Sequence, residues 1–232
     1  VKTKKVNTLV IGSGAAGLCA AIRLNALGVA DVAVCTEGLH LGTSINTGSD
    51  KQTYYKLGMY GVEPDSPILM ARDLAAGGSV HGDLALVEAA VSQQAFANLA
   101  SLGVPFPHDE FGQYIGYKTD HDPKRRATSS GPYTSRDMCN CLIRELKARG
   151  IEVMEKRLAF SLLTSGEGAS KRCVGAVLVD WSEPQDSCLE LVRAENVVFA
   201  TGGPGGLYKQ SVYPVVHTGG IGVALEAGAS AR

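Results

Sequence analysis

Residues 6–38 read VNTLVIGSGAAGLCAAIRLNALGVADVAVCTEG. Residues 6–11 are a short apolar, β-rich run, residues 15–27 an Ala/Leu-rich helical pattern closed by Gly28, and residues 31–36 a second apolar strand. Strand, glycine turn, helix and strand make a βαβ unit. The turn is Gly12-Ser13-Gly14-Ala15-Ala16-Gly17. In such a GxGxxG turn Gly12 permits the sharp reversal, Gly14 lets the backbone approach a pyrophosphate, and Gly17 lets helix and strand pack closely. The free amides and the dipole of the helix then face the anion. Thr36 and Glu37 end the second strand, where an acid accepts hydrogen bonds from ribose hydroxyls. An ordinary solvated carboxylate is the other reading of Glu37. The pattern points to a dinucleotide, and an acid at Glu37 suits a flavin or a nicotinamide dinucleotide equally.

Further along, residues 38–56 carry Gly, Ser, Thr and Asn with little periodicity, as an irregular segment over a binding surface does. Helices are expected at 67–76 and 83–102, the second capped by Asp83 and stopped by Gly103. Residues 105–133 read as loop with a short hairpin at 112–118. A helix opening at Thr134 or Ser135 runs to Arg149 and ends at Gly150. After a strand at 151–154, three β-like runs at 158–164, 173–181 and 188–193 are separated by polar turns at 166–169 and 183–185, which is a meander. A buried strand at 196–200 leads into Thr201-Gly202-Gly203, and 219–228 has a small-residue helix pattern. The fold class is α/β: a Rossmann-like domain with a parallel sheet, flanking helices and a three-stranded β-meander, with one domain over 1–232.

The chain has 232 residues, 45% hydrophobic and 19% charged, with 22 Lys+Arg against 23 Asp+Glu and a net charge of −1. That balance argues against a nucleic-acid partner held by a broad positive field. Glycine numbers 28, well above the usual share of about 7%, and its clusters between apolar runs suit tight turns and backbone lying close to a ligand. No apolar run is long enough for a membrane span. Lys2 to Lys5 before an apolar stretch imitates a secretory leader, but Arg23 and the glycine pattern oppose export. Cys19, Cys35, Cys139, Cys141, Cys173 and Cys188 show neither a CxxC nor a zinc spacing, so reduced thiols, a cytoplasmic location and no metal are expected. Cys139 and Cys141 sit two apart in a helix, where their side chains diverge. His81, His108, His121 and His217 lack a ligand partner at helical spacing and read as surface histidines. Lys124-Arg125-Arg126 suits either a substrate carboxylate or, more simply, solvent. Ser129, Ser130 and Tyr133 suit either a ligand or loop capping.

In these motifs the chain resembles the flavoprotein subunits of succinate dehydrogenase and fumarate reductase, with L-aspartate oxidase and related FAD-dependent oxidoreductases. The resemblance runs from Val6 onward through the glycine turn, Glu37, Gly42-Thr43-Ser44, Leu102-Gly103-Val104-Pro105-Phe106 and Thr134-Ser135. It continues through Ala200-Thr201-Gly202-Gly203, Gly205, Tyr208, Gly220-Ile221 and Ala227-Gly228-Ala229. It implies an FAD-binding domain whose intact enzyme passes a hydride between FAD and a small, dicarboxylate-like substrate, with an electron-transfer partner or capping segment. By this resemblance Gly12, Ser13, Gly14, Ala15, Ala16 and Gly17 hold the pyrophosphate, and Thr36 and Glu37 the adenosine ribose. Thr43, Ser44, Asn46, Thr47, Gly48 and Ser49 line the flavin side, and Ala159 brings backbone to the adenine. Ala200, Thr201, Gly202 and Gly203 face ribose and pyrophosphate.

Three departures from the family pattern stand out. Thr43-Ser44-Ile45 carries no histidine where covalent members have one, and His40 is not at the matching place, so non-covalent FAD is expected. Gly219, in Thr218-Gly219-Gly220, replaces an acid of the family's Gly-Asp-Gly. Gly48-Ser49-Asp50-Lys51-Gln52 stands where the family tends to continue with Gln-Gly-Gly or Ala-Gly-Gly. The family's capping domain and dicarboxylate-binding groups are expected beyond Arg232, so no catalytic residue is nominated within the chain. A non-catalytic FAD-binding module, or half of a split flavoenzyme, is the alternative. A nicotinamide-dependent dehydrogenase is disfavoured because the meander and the Ala-Thr-Gly-Gly return are flavoprotein features.

Overall fold

The computed structural model describes residues 1–49, 52–58, 63–119, 122, 124–211, 213 and 219–230. Asp50, Lys51, His121, His217, Thr218 and Arg232, which enter the sequence reading, lie outside the described residues. The elements are, in order, β1 (Lys2–Ile11), α1 (Ala15–Ala26), β2 (Val32–Cys35), α2 (Thr43–Asn46), β3 (Tyr54–Tyr55), α3 (Pro67–Ala76) and α4 (Gly82–Ser101). Then come β4 (Ala127–Thr128), α5 (Thr134–Ala148), β5 (Glu152–Met154), β6 (Arg157–Ser165), β7 (Arg172–Asp180), β8 (Leu189–Phe199) and α6 (Ile221–Glu226). Sequence leads to a single domain over 1–232; the contacts distinguish two compact units, Val1–Thr47 with the described residues from Leu142 on, and Gly48–Cys141.

The first unit is built on a six-stranded sheet of order β5-β2-β1-β8-β7-β6. β5, β2, β1 and β8 are parallel, and β8, β7 and β6 are antiparallel. Between two parallel neighbours, the second half of β1 is buried almost without interruption, as a central strand covered on both faces must be. Its core gathers Val6, Leu9 and Ile11 of β1, Ala33 and Cys35 of β2, and Ala176, Leu178, Val192 and Ala194 of β7 and β8. α1 buries Gly17, Leu18, Ala21 and Ile22, the stripe that a four-residue repeat places on one face.

The runs at 188–193 and 196–200, expected as separate strands, are one strand. Ala194 and Glu195 carry no turn signal, so β8 runs unbroken from Leu189 to Phe199. It pairs antiparallel with β7 at its start and parallel with β1 along nearly its whole length, so the third meander strand is also a strand of the parallel sheet. β1 begins earlier than expected, at Lys2, because β8 supplies a partner as far back as Glu190 and the lysines reach Glu183 and Glu152.

In the second unit α3 packs on α4, whose buried residues Ala85, Ala89, Ser92, Phe96 and Leu99 recur at alternating steps of four and three. α4 starts one residue before Asp83, so this acid lies in the first turn, favourable to the dipole, and His81 holds the cap position. The hairpin expected at 112–118 is absent. Asp109 Oδ1 instead accepts from the Phe111 and Gln113 amides and closes a turn, with isolated bridges at His108–Tyr114 and Tyr117–Ala127. Leu57, Met70 and Ala89 form a small core, and Tyr54, Phe96, Phe106 and Tyr114 an aromatic cluster.

Lys56 is fully buried in this unit, its Nζ 4.7 Å from the centroid of the Phe96 ring and without a hydrogen-bond partner. Burial pulls its pKa down to about 8, whereas an unfolded lysine titrates near about 10.4. Between those values the unfolded chain holds more protons than the folded one, so stability rises with pH across that window. Lys56→Met is expected to remove this slope and to raise stability at pH 7 by about 1–2 kcal/mol once solvent screening is allowed for. Urea titrations of both proteins from pH 7 to 10.5 test this, and a variant that retains the slope refutes it.

Candidate functional site

Ile11 of β1 stands level with Cys35 of β2 and with Phe199 of β8, and Cys35 with Met154 of β5. The segments that leave these strands therefore emerge side by side at the carboxyl edge of the parallel sheet, where open α/β sheets take their ligands. Backbone bonds extend the ladder past the strand ends: Gly12 N to Cys35 O at 2.9 Å, Ala200 N to Ile11 O at 2.8 Å, and Thr36 N to Met154 O at 3.0 Å. Around this edge lies a cavity of about 300 Å³, bounded by residues 11–16, 35–38, 41–44, 157–159, 199–202 and 219–220.

The glycine turn is shaped by contacts that admit no side chain. Gly12 has φ +108°, and a Cβ there would lie 2.3 Å from Ala200 O. A Cβ on Gly17 would lie 2.0 Å from Gly12 O, so Gly17 sets how closely α1 meets the turn. Gly14 differs: its Cβ position is 3.4 Å from Ser44 Oγ and otherwise open, which leaves the cavity side of the turn clear for a ligand. The N-terminus of α1 has no side-chain cap and no acid in its first turn, and the Ala15 amide makes only a long bond of 3.4 Å to Ser44 Oγ. An anion is the partner such amides lack.

A buried hydroxyl pair, Ser13 Oγ and Thr36 Oγ1 at 2.7 Å, ties the turn to the end of β2 just before Glu37. Thr36 Oγ1 in turn accepts from the Gly38 amide at 3.2 Å. Cys35 also lines the cavity, but burial pushes its thiol up to about 12, so it stays protonated at neutral pH and supplies no thiolate. Thr201 also lines the cavity, but its Oγ1 is enclosed by protein, without a hydrogen-bond partner and close against Gly220.

Of the residues predicted from sequence, Gly12, Ser13, Gly14, Ala15, Ala16, Thr36, Glu37, Gly42, Thr43, Ser44, Ala159, Ala200, Thr201 and Gly202 meet at this cavity. Gly17 supports the turn from behind. Asn46 and Thr47 brace the loop, Asn46 Nδ2 donating to His40 O and Gly42 O and Thr47 Oγ1 to Thr43 O. Gly48 and Ser49 belong to the second unit, beside Tyr133 and Pro132. Gly203 is off the wall, and its carbonyl faces Gly219. Gly219 has φ +72° and a Cβ position 2.7 Å from Gly203 O, so this backbone takes glycine where an acid was the family expectation. Arg157, Leu158, Gly38 and Leu41 were not foreseen, since nothing local in their sequence marks them.

The weaker candidates resolve by geometry. Ser130 Oγ donates to Asp137 Oδ2 and the Ser130 amide to Thr134 Oγ1, which ties Ser130 to the first turn of α5, while Tyr133 lies under the Arg136 guanidinium at 3.7 Å. Among the described residues no set of His, Cys, Asp and Glu comes together as a metal site, the six cysteines form no disulfide, and no helix is long and apolar enough to cross a membrane. The run 124–126 is not a uniformly solvated one: Arg126 is fully buried in the second unit. It grips Asp65 with Nε and Nη2 at 2.8 and 2.7 Å, and its Nη1 reaches Asp73 at 2.6 Å, Tyr55 OH at 3.0 Å and Asp122 at 3.3 Å. A buried guanidinium persists only when paired in this way.

A family model described as FAD binding domain matches residues 7–232. L-aspartate oxidase of Streptomyces coelicolor is 31% identical over 227 residues, covering 96% of this chain and 38% of its own length. The succinate dehydrogenase flavoprotein subunit of Coxiella burnetii is 25% identical over 238 residues, covering 98% and 39%. An E. coli quinol fumarate reductase superposes with a TM-score of 0.83 at 21% identity, over 97% of this chain and 37% of that one, and so shares the fold. The chain spans about two fifths of the length of these relatives.

Proposed function

The chain belongs to the FAD-binding-domain family, with FAD as its cofactor, and from that premise we propose that it is the FAD-binding part of an oxidoreductase of the fumarate reductase, succinate dehydrogenase and aspartate oxidase type. The observation that carries this reading is the common edge at which β1, β2 and β8 end, which brings an uncapped helix N-terminus, Glu37 and the segment after β8 around one cavity. FAD supplies the hydride chemistry when bound. The chain's own residues bind and orient it.

The first-turn amides of α1, with Gly14 leaving them accessible, hold the pyrophosphate. Glu37 accepts from the adenosine ribose, the Ala159 backbone meets the adenine, and Ala200, Thr201 and Gly202 face ribose and pyrophosphate. Thr43 and Ser44 lie toward the flavin, and no histidine stands among residues 43–46, so the flavin is held without a covalent bond. We read residues 1–232 as a single FAD-binding domain that includes both compact units, since the family match runs through both. A small organic, dicarboxylate-like substrate is the proposed hydride partner, and a further protein or segment passes the electrons on.

Purified protein is expected to take up FAD and to release all of it to the supernatant on acid precipitation. Yellow colour that stays with the pellet refutes the non-covalent assignment. The loaded protein, assayed for dye-coupled fumarate reduction and for succinate and L-aspartate oxidation, tests the oxidoreductase reading. FAD uptake without turnover on any of the three favours a binding module with no catalysis of its own.

A further inference from the structure

Arg157 opens β6 and joins four parts of the first unit. Its amide donates to Thr36 O at 3.0 Å, directly before Glu37. Its Nη2 meets Asp180 Oδ2 of β7 at 2.7 Å, and its Nε meets Glu190 Oε2 of β8 at 3.4 Å. Its Nη1 donates to Glu155 O at 2.7 Å, and the Glu155 carboxylate accepts in turn from the Leu39 amide at 3.3 Å. Both acids are nearly inaccessible, Asp180 at 2% and Glu190 at 8% exposure.

All three guanidinium nitrogens are thus engaged by protein, which leaves the group suited to hold backbone rather than to grip a ligand. The backbone it holds bounds the cavity: residues 157–159 form one wall, and the β6–β7 register shifts just after Ala159. A bulge re-aims the chain, so the direction of this wall depends on how the start of β6 is fixed. On the other side the same residue fixes the segment that carries Glu37. A buried ion pair is weak evidence for stability in itself, because desolvation offsets the attraction. Orientation is what this one adds.

On the reading that the cavity holds FAD, we infer that Arg157, through its ion triad with Asp180 and Glu190, is the positioning residue for the adenosine end of the site. It sets the Ala159 backbone and Glu37 in mutual register and leaves the flavin end untouched. A change in the triad therefore weakens every ligand that carries adenosine diphosphate and spares one that carries only the flavin and a single phosphate.

The test is calorimetric titration of wild-type, Arg157→Gln and Asp180→Asn proteins with FAD, ADP and FMN. The near-isosteric Asp180→Asn keeps the fold while weakening the pair. Both variants are expected to lose FAD and ADP affinity by the same factor, about tenfold, the size of one or two lost hydrogen bonds, with FMN affinity changed less than about twofold. Equal losses for FMN and FAD show general loosening and overturn the inference, as does unchanged ADP affinity in either variant. Wild-type protein that takes up no FAD overturns the FAD reading beneath it instead.

Discussion

Gly14→Asp protein folds like the wild type and loses FAD affinity by at least about a hundredfold. The position has ordinary backbone, φ −71° and ψ −179°, at the N-cap of α1, where aspartate is among the preferred residues. Its Cβ has room, with Ser44 Oγ at 3.4 Å as the nearest neighbour, so the fold tolerates the change and the helix dipole favours the new charge. The same carboxylate occupies the open side of the turn and repels a diphosphate, at a cost of about 4 kcal/mol for unit charges about 4 Å apart near a protein surface. Flavin fluorescence titration reads the loss, with Gly14→Ala as the uncharged comparison, whose methyl narrows the approach to the turn and costs less affinity than the carboxylate. Tight FAD binding by the aspartate variant ends the assignment of the pyrophosphate to this turn.

Arg126→Met is expected to cost about 3–5 kcal/mol of stability. The side chain is fully buried, and its loss leaves Asp65 and Asp122, at 5% and 3% side-chain exposure, without their cation. Burial alone pushes the Asp65 carboxyl up, and hydrogen bonds from Arg126 and from the Gly58 and Ser66 amides outweigh it, so in the native protein it sits below the usual range. That contribution is present above the unfolded carboxylate pKa and is lost as pH falls through the lower, folded one. In the variant the Gly58 and Ser66 amides still oppose burial but the guanidinium no longer does, so the Asp65 carboxyl moves up from its native position and the stability deficit narrows as pH falls toward 5. Urea midpoints of both proteins at pH 5 and pH 7 measure this, and a variant whose deficit is independent of pH contradicts it. Lysine does not substitute for this arginine, because a single ammonium cannot make the bidentate contact to Asp65 while also reaching Asp73 and Asp122.

What was legible in the sequence is what short-range pattern encodes. The GxGxxG turn, its place between an apolar run and an Ala/Leu helix, and the acid closing the second strand mark β1, α1 and β2 together, because each of those features is local. The same holds for α3 and α5, whose expected ends fall within about a residue of those observed. Failures came where partners are distant. From sequence β8 divides in two because its first half resembles a meander strand and its second a buried parallel strand, and only the pairing with both β7 and β1 shows that one strand serves both roles. At 112–118 the glycine and aromatic residues imitate a hairpin, yet Asp109 closes the turn earlier and carries the chain toward Ala127.

The site divides in the same manner. Glycines 12, 14 and 17 could be assigned from sequence because their reasons, a positive φ, an open approach and a close packing, are tied to the spacing of one motif. Arg157 carries no such mark, and its role arises from Asp180 and Glu190, residues 23 and 33 positions away that sheet pairing alone brings to it. Arg126 shows the opposite error. In the run 124–126 it reads as a solvated charge, while in the fold it is the buried counter-ion of three aspartates that lie 4 to 61 residues away. Within 32 consecutive residues the βαβ unit and its glycine turn are already legible and point to a dinucleotide ligand, because each of their signals is local. Which charges are buried, and which backbone segments they hold at the cavity, emerges from the folded chain alone, because those contacts depend on strand register and packing between residues far apart in the chain.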